Sequence, residues 1–197
     1  SRNVMMHQIA TLIFNNTDII ILTYFSGLKL VSVYALYAML FGSVFGILQH
    51  FYSVNFVLGQ AFYTDMNHYV KLHDSYELYN MTLTFSLFCV AHLFVLPFVT
   101  LYTAGVHDAP YVDAYLPALF IATYLLSNGR SSSLQLISFA KHFKQTQWRS
   151  LLESLINIIV SLLLVQRIGI YGVLIGTIAA LLYRTNDVII YANKVLL

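Results

Sequence analysis

Long apolar stretches alternate with short polar segments along the whole chain. Read in windows of about 20 residues, the length that a helix needs to cross a bilayer, this pattern predicts six membrane spans. Their approximate bounds are residues 4–26, 31–58, 80–104, 111–138, 148–166 and 169–192. Transmembrane β-strands are shorter, about 9–11 residues, and alternate in polarity. The longer uniform runs therefore indicate helices.

Polar and turn-forming residues separate these stretches, and the predicted loops are Ser26-Gly27 and residues 65–77, 105–110, 142–147 and 167–169. Pro97 and Pro117 predict kinks in the third and fourth spans. Small residues recur every four positions on the second and sixth spans, which favours close helix packing in lipid; they are Ala38, Gly42, Gly46, Gly172, Gly176 and Ala180. We therefore predict one all-α domain over residues 1–197, a polytopic membrane helix bundle.

Composition supports a membrane protein. Hydrophobic residues make up 59% of the 197 and charged residues only 9%, against about 25% charged in ordinary soluble domains. The single cysteine, Cys89, excludes an internal disulfide framework and a cysteine-based metal site. A net charge of +2 without a basic run gives no indication of nucleic-acid binding. No cofactor and no metal site are predicted.

The distribution of Lys and Arg predicts the orientation of the bundle. With alternating spans, seven basic residues fall on one side and two, Lys29 and Arg167, on the other. The positive-inside rule then places both termini in the cytoplasm. The chain starts with Ser, and the sixth span ends close to the last residue. We interpret it as a fragment of a longer transporter; the alternative is that six spans form a complete small channel.

The first candidate site is Asn15-Asn16-Thr17-Asp18, in the middle of the first span. An Asp at the centre of a membrane helix costs roughly 2.5–3.5 kcal/mol on the insertion scale. Such residues face a bundle interior or a hydrated cavity rather than lipid. Asn15, Asn16 and Asp18 are therefore predicted to line a binding cavity, and Asp18 is also a candidate for ion coupling.

The second candidate site is Ser127-Asn-Gly-Arg-Ser-Ser-Ser133, inside the fourth span. The Arg130 guanidinium is a planar, permanently charged donor that matches phosphate and carboxylate groups. With Asn128 beside it, Arg130 is predicted to bind an anionic ligand. The alternative is an internal ion pair with Asp18 or Glu153, and both are compatible because a resting pair can open.

Other polar residues have mainly structural interpretations. Arg149 and Glu153 are spaced for an i,i+4 pair on the fifth span, and Arg184 and Asp187 for an i,i+3 pair on the sixth. Most tyrosines lie near span ends, where interfacial anchoring explains them. Tyr34 and Tyr37 are candidates for stacking on sugars.

Four segments resemble a known family. Phe14-Asn-Asn-Thr-Asp-Ile-Ile-Ile-Leu, followed by Val31-Ser-Val-Tyr-Ala-Leu-Tyr, is similar to the helix pair that opens the second half of oligosaccharide flippases. Gly169-Ile-Tyr-Gly-Val-Leu-Ile-Gly-Thr-Ile and the segment from Tyr183 to Asn193 are similar to a later helix. These flippases form the polysaccharide-transport branch of the multidrug/oligosaccharidyl-lipid/polysaccharide exporter superfamily, which includes O-antigen and capsule repeat-unit flippases.

The resemblance implies a function and a partner. Members of this family move undecaprenyl-pyrophosphate-linked oligosaccharide across the bacterial cytoplasmic membrane by alternating access of two six-helix lobes. The chain would be the second lobe, without enzymatic activity. Arg130 would meet the pyrophosphate or an acidic sugar, and Asn15, Asn16 and Asp18 would face the same cavity. Asp18 would respond to a coupling proton or sodium ion.

Two other functions stay open. A multidrug cation exporter of the same superfamily would share the fold, but it would favour an acidic cavity without a deep Arg. A polytopic enzyme of polysaccharide assembly would need an acid–base or nucleophile constellation, and here the His and carboxylate residues are scattered along the chain.

Overall fold

The structure, a computed structural model, describes the backbone of residues 2–49 and 54–196 and the side chains of residues 16–48 and 54–196. Every regular element within these ranges is helical. The elements are α1 (Arg2–Gln49), α2 (Val54–Thr64), α3 (Met66–Tyr102), α4 (Leu116–Gly129), α5 (Ser131–Phe139), α6 (Phe143–Ile168), α7 (Ile170–Tyr191) and a π-helical turn (Ala192–Leu196).

The described part of the chain contains four helices that are long and apolar enough to cross a membrane. They are Asn16–Leu48, Met66–Tyr102, Phe143–Ile168 and Ile170–Leu196. Large apolar side chains on these helices point outward, with Leu93 71% and Leu163 68% exposed. Extensive outward apolar surface is suited to lipid contact. The all-helical, multi-pass membrane character is therefore confirmed, while the structure has four such helices where six spans were predicted.

The first predicted span and residues 31–49 of the second belong to α1, and the chain folds back between them at Gly27. The prediction that the second span continues to residue 58 is wrong, because another helix, α2, begins at Val54. Gly27 has φ 78° and ψ 168°, a backbone conformation that side-chain-bearing residues rarely adopt. Tyr34 Oη lies 3.0 Å from Asp18 Oδ2, whereas 16 residues of continuous helix would separate them by about 24 Å. The two arms of α1, residues 2–26 and 28–49, therefore face each other, which confirms the turn predicted at Ser26-Gly27.

The fourth predicted span is divided into two short helices, α4 and α5. Arg130 separates them with φ −97° and ψ −4°, away from the helical values of about −63° and −42°. Pro117 lies in the first turn of α4, where its missing N–H breaks no helical hydrogen bond. The kink predicted at Pro117 is therefore wrong, and the interruption lies at Arg130 instead.

Two of the predicted loops are helical. α3 begins at Met66 rather than near residue 80, because Asp65 caps it: Asp65 Oδ1 accepts hydrogen bonds from the backbone N–H of Asn67 and His68 at 3.0 and 3.3 Å. Its polar first turns bury Tyr69 and His73 on one face, an amphipathic pattern that a hydropathy average does not detect. α6 likewise begins at Phe143 inside the loop predicted at 142–147, whereas residues 103–115 form no helix, which confirms the loop at 105–110.

α6 and α7 pack closely and form a hairpin around Gly169. A Cβ atom added to Gly172 would lie 2.5 Å from the backbone carbon of Leu164, and one added to Gly176 would lie 2.2 Å from Ser161 Oγ. The close packing predicted for the small residues of the sixth span, the sixth-span ladder (Gly172, Gly176 and Ala180), is confirmed at both glycines. The small residues Ala38, Gly42 and Gly46 are called the second-span ladder. On the second span the two glycines differ: a Cβ added to Gly42 would lie 3.2 Å from Tyr124 Oη, whereas one added to Gly46 would have no neighbour within 4 Å.

Candidate functional site

A cavity of about 500 Å³ lies between the two arms of α1, α4 and α7. α4 lines it with Phe120, Thr123, Ser127 and, at its end, Arg130. Spacings of three and four residues place these side chains on one face of a helix. From Phe120 to Arg130 this face extends about 15 Å, so the cavity wall changes from aromatic at the start of α4 to cationic at its end.

Asp18, on the first arm of α1, also lines the cavity and is 4% exposed. Its carboxylate accepts hydrogen bonds from Tyr34 Oη at 3.0 Å, Thr177 Oγ1 at 2.8 Å and Asn157 Nδ2 at 3.4 Å. All three donors are neutral, so hydrogen bonds rather than an opposite charge hold the carboxylate. Residues from both arms of α1 and from α6 and α7 thus meet at Asp18.

Arg130 is held by a different partner. Its Nη1 atom pairs with Glu153 Oε1 on α6, so the structure selects Glu153 from the two counter-ions that the sequence left open. The Arg130 side chain is 14% exposed and Glu153 is 9% exposed. Arg130 lines the cavity, while Glu153 lies behind it, outside the lining.

The Arg130–Glu153 pair belongs to a chain of five charged groups. Glu153 Oε2 lies 3.6 Å from Arg184 Nε, Arg184 Nη1 lies 2.8 Å from Asp187 Oδ2, and Arg149 Nη1 lies 2.5 Å from Asp187 Oδ1. The predicted Arg184–Asp187 pair is confirmed. The predicted Arg149–Glu153 pair is wrong, because the close α6–α7 packing brings Asp187 opposite Arg149.

The remaining predicted site residues lie elsewhere. Asn16 is exposed and does not line the cavity, and the side chain of Asn15 lies outside the described residues. Asn128 is 1% exposed and donates to Thr84 Oγ1 at 2.7 Å across the α3–α4 contact. Among the predicted site residues whose side chains the structure describes, Asp18 and Arg130 are the two that line one cavity.

Tertiary packing adds residues that the sequence did not single out. These are Thr177 and Tyr124, which line the cavity. Tyr34, one of the two tyrosines predicted to stack on sugars, also lines it and donates a hydrogen bond to Asp18. Tyr37 is instead fully buried and donates to the backbone oxygen of Tyr111 at 2.9 Å. The three- and four-residue spacing of Thr123, Ser127 and Arg130 could have predicted which face of α4 lines the cavity. No sequence pattern around Thr177 indicates that it lines the cavity.

A second space of about 500 Å³ lies between α3 and α4, lined by apolar residues together with Cys89 and His92. Its wall includes Phe85 and Leu93, which are 59% and 71% exposed. Binding sites combine apolar walls with a few convergent polar groups, and ionisable side chains inside membranes mark functional positions. The cavity between Asp18 and Arg130 is therefore the candidate site.

The chain matches no family model, and it matches neither a curated protein nor a solved structure. Among the described residues, no group of three or more His, Cys, Asp and Glu side chains is placed to hold a metal ion. The cavity lining itself combines a guanidinium and a carboxylate with aromatic and hydroxyl groups. Such a lining provides contacts for a ligand that carries an anionic group and several hydroxyl groups.

Proposed function

We propose that the protein transports undecaprenyl-pyrophosphate-linked oligosaccharide across the bacterial cytoplasmic membrane by alternating access, for the synthesis of surface polysaccharide. The observation that carries this proposal is the pair Asp18 and Arg130 on the walls of one cavity between apolar helices. Arg130 would bind the pyrophosphate or an acidic sugar, while Tyr34 and Tyr124 offer aromatic surfaces for the sugars. The partners would be the lipid-linked oligosaccharide, membrane lipids and an N-terminal half of the same protein.

The proposal includes a six-helix lobe. The two arms of α1, α3, the pair α4–α5, α6 and α7 would each cross the membrane, with both termini in the cytoplasm. This count is supported by the reversal at Gly27 and by the range 116–139 that α4, Arg130 and α5 cover together. The lining residues of the cavity come from four of these six crossings.

Asp18 would couple transport to a proton or a sodium ion. It is a buried carboxylate surrounded by neutral donors, so gain or loss of a cation changes the local charge. The amide oxygen of Asn157, whose nitrogen bonds to Asp18, is buried without a hydrogen-bond partner in the described part of the chain. Carboxylate, amide and hydroxyl oxygens are the ligands that hard cations prefer.

The test is Arg130→Ala in the protein at its full natural length. We expect loss of surface polysaccharide, because the cavity then lacks its cationic group, and a build-up of the lipid-linked precursor. Arg167→Ala is the matched control, since Arg167 is an exposed arginine in the last turn of α6, away from the cavity. Normal polymer in the Arg130 variant, with expression confirmed, would exclude the proposed role.

The second candidate function is export of small cations, and the buried Asp18 carboxylate favours it. In that case Asp18→Asn would abolish drug extrusion, while Arg130→Ala would leave extrusion intact or improve it by removing a repulsive charge. A polysaccharide transporter requires Arg130, so the response of Arg130→Ala separates the two functions.

A further inference from the structure

The charges around Arg130 are unequal in number. Arg130, Arg149 and Arg184 face two carboxylates, Glu153 and Asp187. These side chains are largely buried, and Arg184 is only 2% exposed. A buried charge without a partner is strongly destabilising. By formal charge, the cluster has three arginines and two carboxylates, so one-to-one pairing leaves one arginine without a carboxylate.

Arg130 is the arginine that the cluster can release. Without it, Glu153 can pair with Arg184 and Asp187 with Arg149, which leaves two arginines and two carboxylates. The Glu153–Arg184 distance is already 3.6 Å, so a movement of roughly 0.7 Å brings the pair to ordinary hydrogen-bond length. Arg130 is also the member of the cluster that lines the cavity.

We propose that Glu153 competes with the anionic ligand for Arg130 and pairs with Arg184 instead when the ligand binds. We call this exchange of partners the hand-over. This inference rests on the anion-binding role of Arg130 in the proposed function. With the cavity empty, Glu153 neutralises Arg130. When a phosphate group arrives, Arg130 turns to it, and Arg184 takes over the Glu153 carboxylate. Glu153 and Arg184 are thus positioning residues that set the affinity of the site without touching the ligand.

The test measures binding of inorganic pyrophosphate to the purified protein in detergent by calorimetry, together with the rise in melting temperature that pyrophosphate causes. Glu153→Gln removes the competitor, so we expect affinity to increase about tenfold or more. Arg184→Gln leaves Glu153 with Arg130 as its partner and Asp187 with Arg149, so the cluster is balanced and Arg130 is occupied. We expect affinity to fall about tenfold in this variant.

Asp187→Asn is the matched control, because it removes one negative charge from the same cluster without being a partner of Arg130. We expect its affinity to rise by at most about threefold, because Arg184 then competes more strongly for Glu153 while Glu153 itself is still present as a partner of Arg130. A gain in D187N equal to that in E153Q would show a general charge effect and overturn the hand-over. An unchanged or weaker affinity in E153Q, or a stronger one in R184Q, would also overturn it.

Two further variants complete the test. If E153Q does not fold, Glu153→Asp keeps the charge but shortens the side chain away from Arg130; raised affinity supports the hand-over and unchanged affinity contradicts it. Arg130→Gln, alone and combined with E153Q, shows which proposal fails. Binding that needs Arg130 but ignores Glu153 removes only the hand-over, whereas binding independent of Arg130 removes the anion site of the proposed function as well.

Discussion

At the residue scale, Asp18 and Arg130 share a cavity but not a partner. Asp18 is held by the hydroxyl groups of Tyr34 and Thr177 and by the Asn157 amide, whereas Arg130 pairs with Glu153. A direct pair between them would neutralise both and close the space between the walls. Separate partners leave each group facing the cavity, available to a ligand or an ion.

Asp18→Asn tests whether the carboxylate must change its charge. The amide preserves the shape of the side chain but cannot exchange a proton at neutral pH and binds a cation more weakly. We expect transport to fall at least about tenfold, equivalent to roughly 1.4 kcal/mol, together with loss of its dependence on the proton or sodium gradient. The measurement is uptake of labelled lipid-linked oligosaccharide into vesicles.

The control for this variant is Asp74→Asn, since the Asp74 side chain is 70% exposed on α3 and lies outside the cavity lining. Its transport should match the unmodified protein. Retained transport in Asp18→Asn would rule out obligatory coupling through this carboxylate.

At the element scale, glycines on α7 and one interruption between α4 and α5 shape the site. Gly172 and Gly176 let α7 approach the backbone of α6, which places Thr177 beside Asn157 at 2.8 Å. The same approach places Arg184 and Asp187 opposite α6. The interruption at Arg130 ends α4 at the cavity, so the guanidinium lies where one helix stops and the next begins.

Gly172→Ala and Gly176→Ala should each destabilise the protein by about 1–3 kcal/mol, the usual cost of inserting a methyl group into a packed contact. The added Cβ atoms would meet the α6 backbone at 2.5 and 2.8 Å, and backbone cannot move aside as a side-chain end can. Thermal unfolding in detergent measures the effect.

Gly46→Ala provides the comparison, because it lies on the second-span ladder with no atom within 4 Å of the added Cβ. We expect its melting temperature to stay the same or rise slightly, since Ala favours helix more than Gly does. Equal destabilisation at Gly46 and Gly176 would contradict the packing account.

At the scale of the whole molecule, polar and charged groups face an internal cavity while large apolar side chains face outward. In water this arrangement would leave a continuous apolar surface exposed; in a bilayer, lipid covers it. The division between a cavity with polar and charged groups and an apolar exterior is therefore a property of the assembled bundle rather than of any one helix.

Cysteine labelling with a membrane-impermeant maleimide tests this division, because the thiolate that reacts requires water. The native Cys89 is exposed on α3 within an apolar groove and should stay unlabelled in membranes. In a Cys89→Ser background, Ser127→Cys on the cavity wall should label at least about tenfold faster than Leu163→Cys on the outer face. Fast labelling at position 163 would mean that the outer face of α6 contacts water.

The extent of the fold that could be predicted follows from what hydropathy measures. Averages over about 20 residues detect apolar helices, so α6, α7 and the turn at Gly27 lie close to where the pattern places them. They miss amphipathic helices, so residues 66–77 of α3 fall within a predicted loop. The polar residues of this segment lower the average and obscure Tyr69 and His73, which are buried. Hydropathy averages also ignore backbone geometry, so the interruption at Arg130 was not located.

The sequence by itself determined that this is an all-helical membrane protein, because composition and hydropathy are properties of the chain. It also determined that Asp18 and Arg130 are charged residues inside apolar segments, where burial of a charge is unfavourable. Only the tertiary structure decided which groups meet these charges. Glu153, rather than Asp18, pairs with Arg130, and Asp187, rather than Glu153, pairs with Arg149. The physical reason is that contacts between helices depend on crossing geometry and close glycine approach, which residue spacing along one helix does not specify.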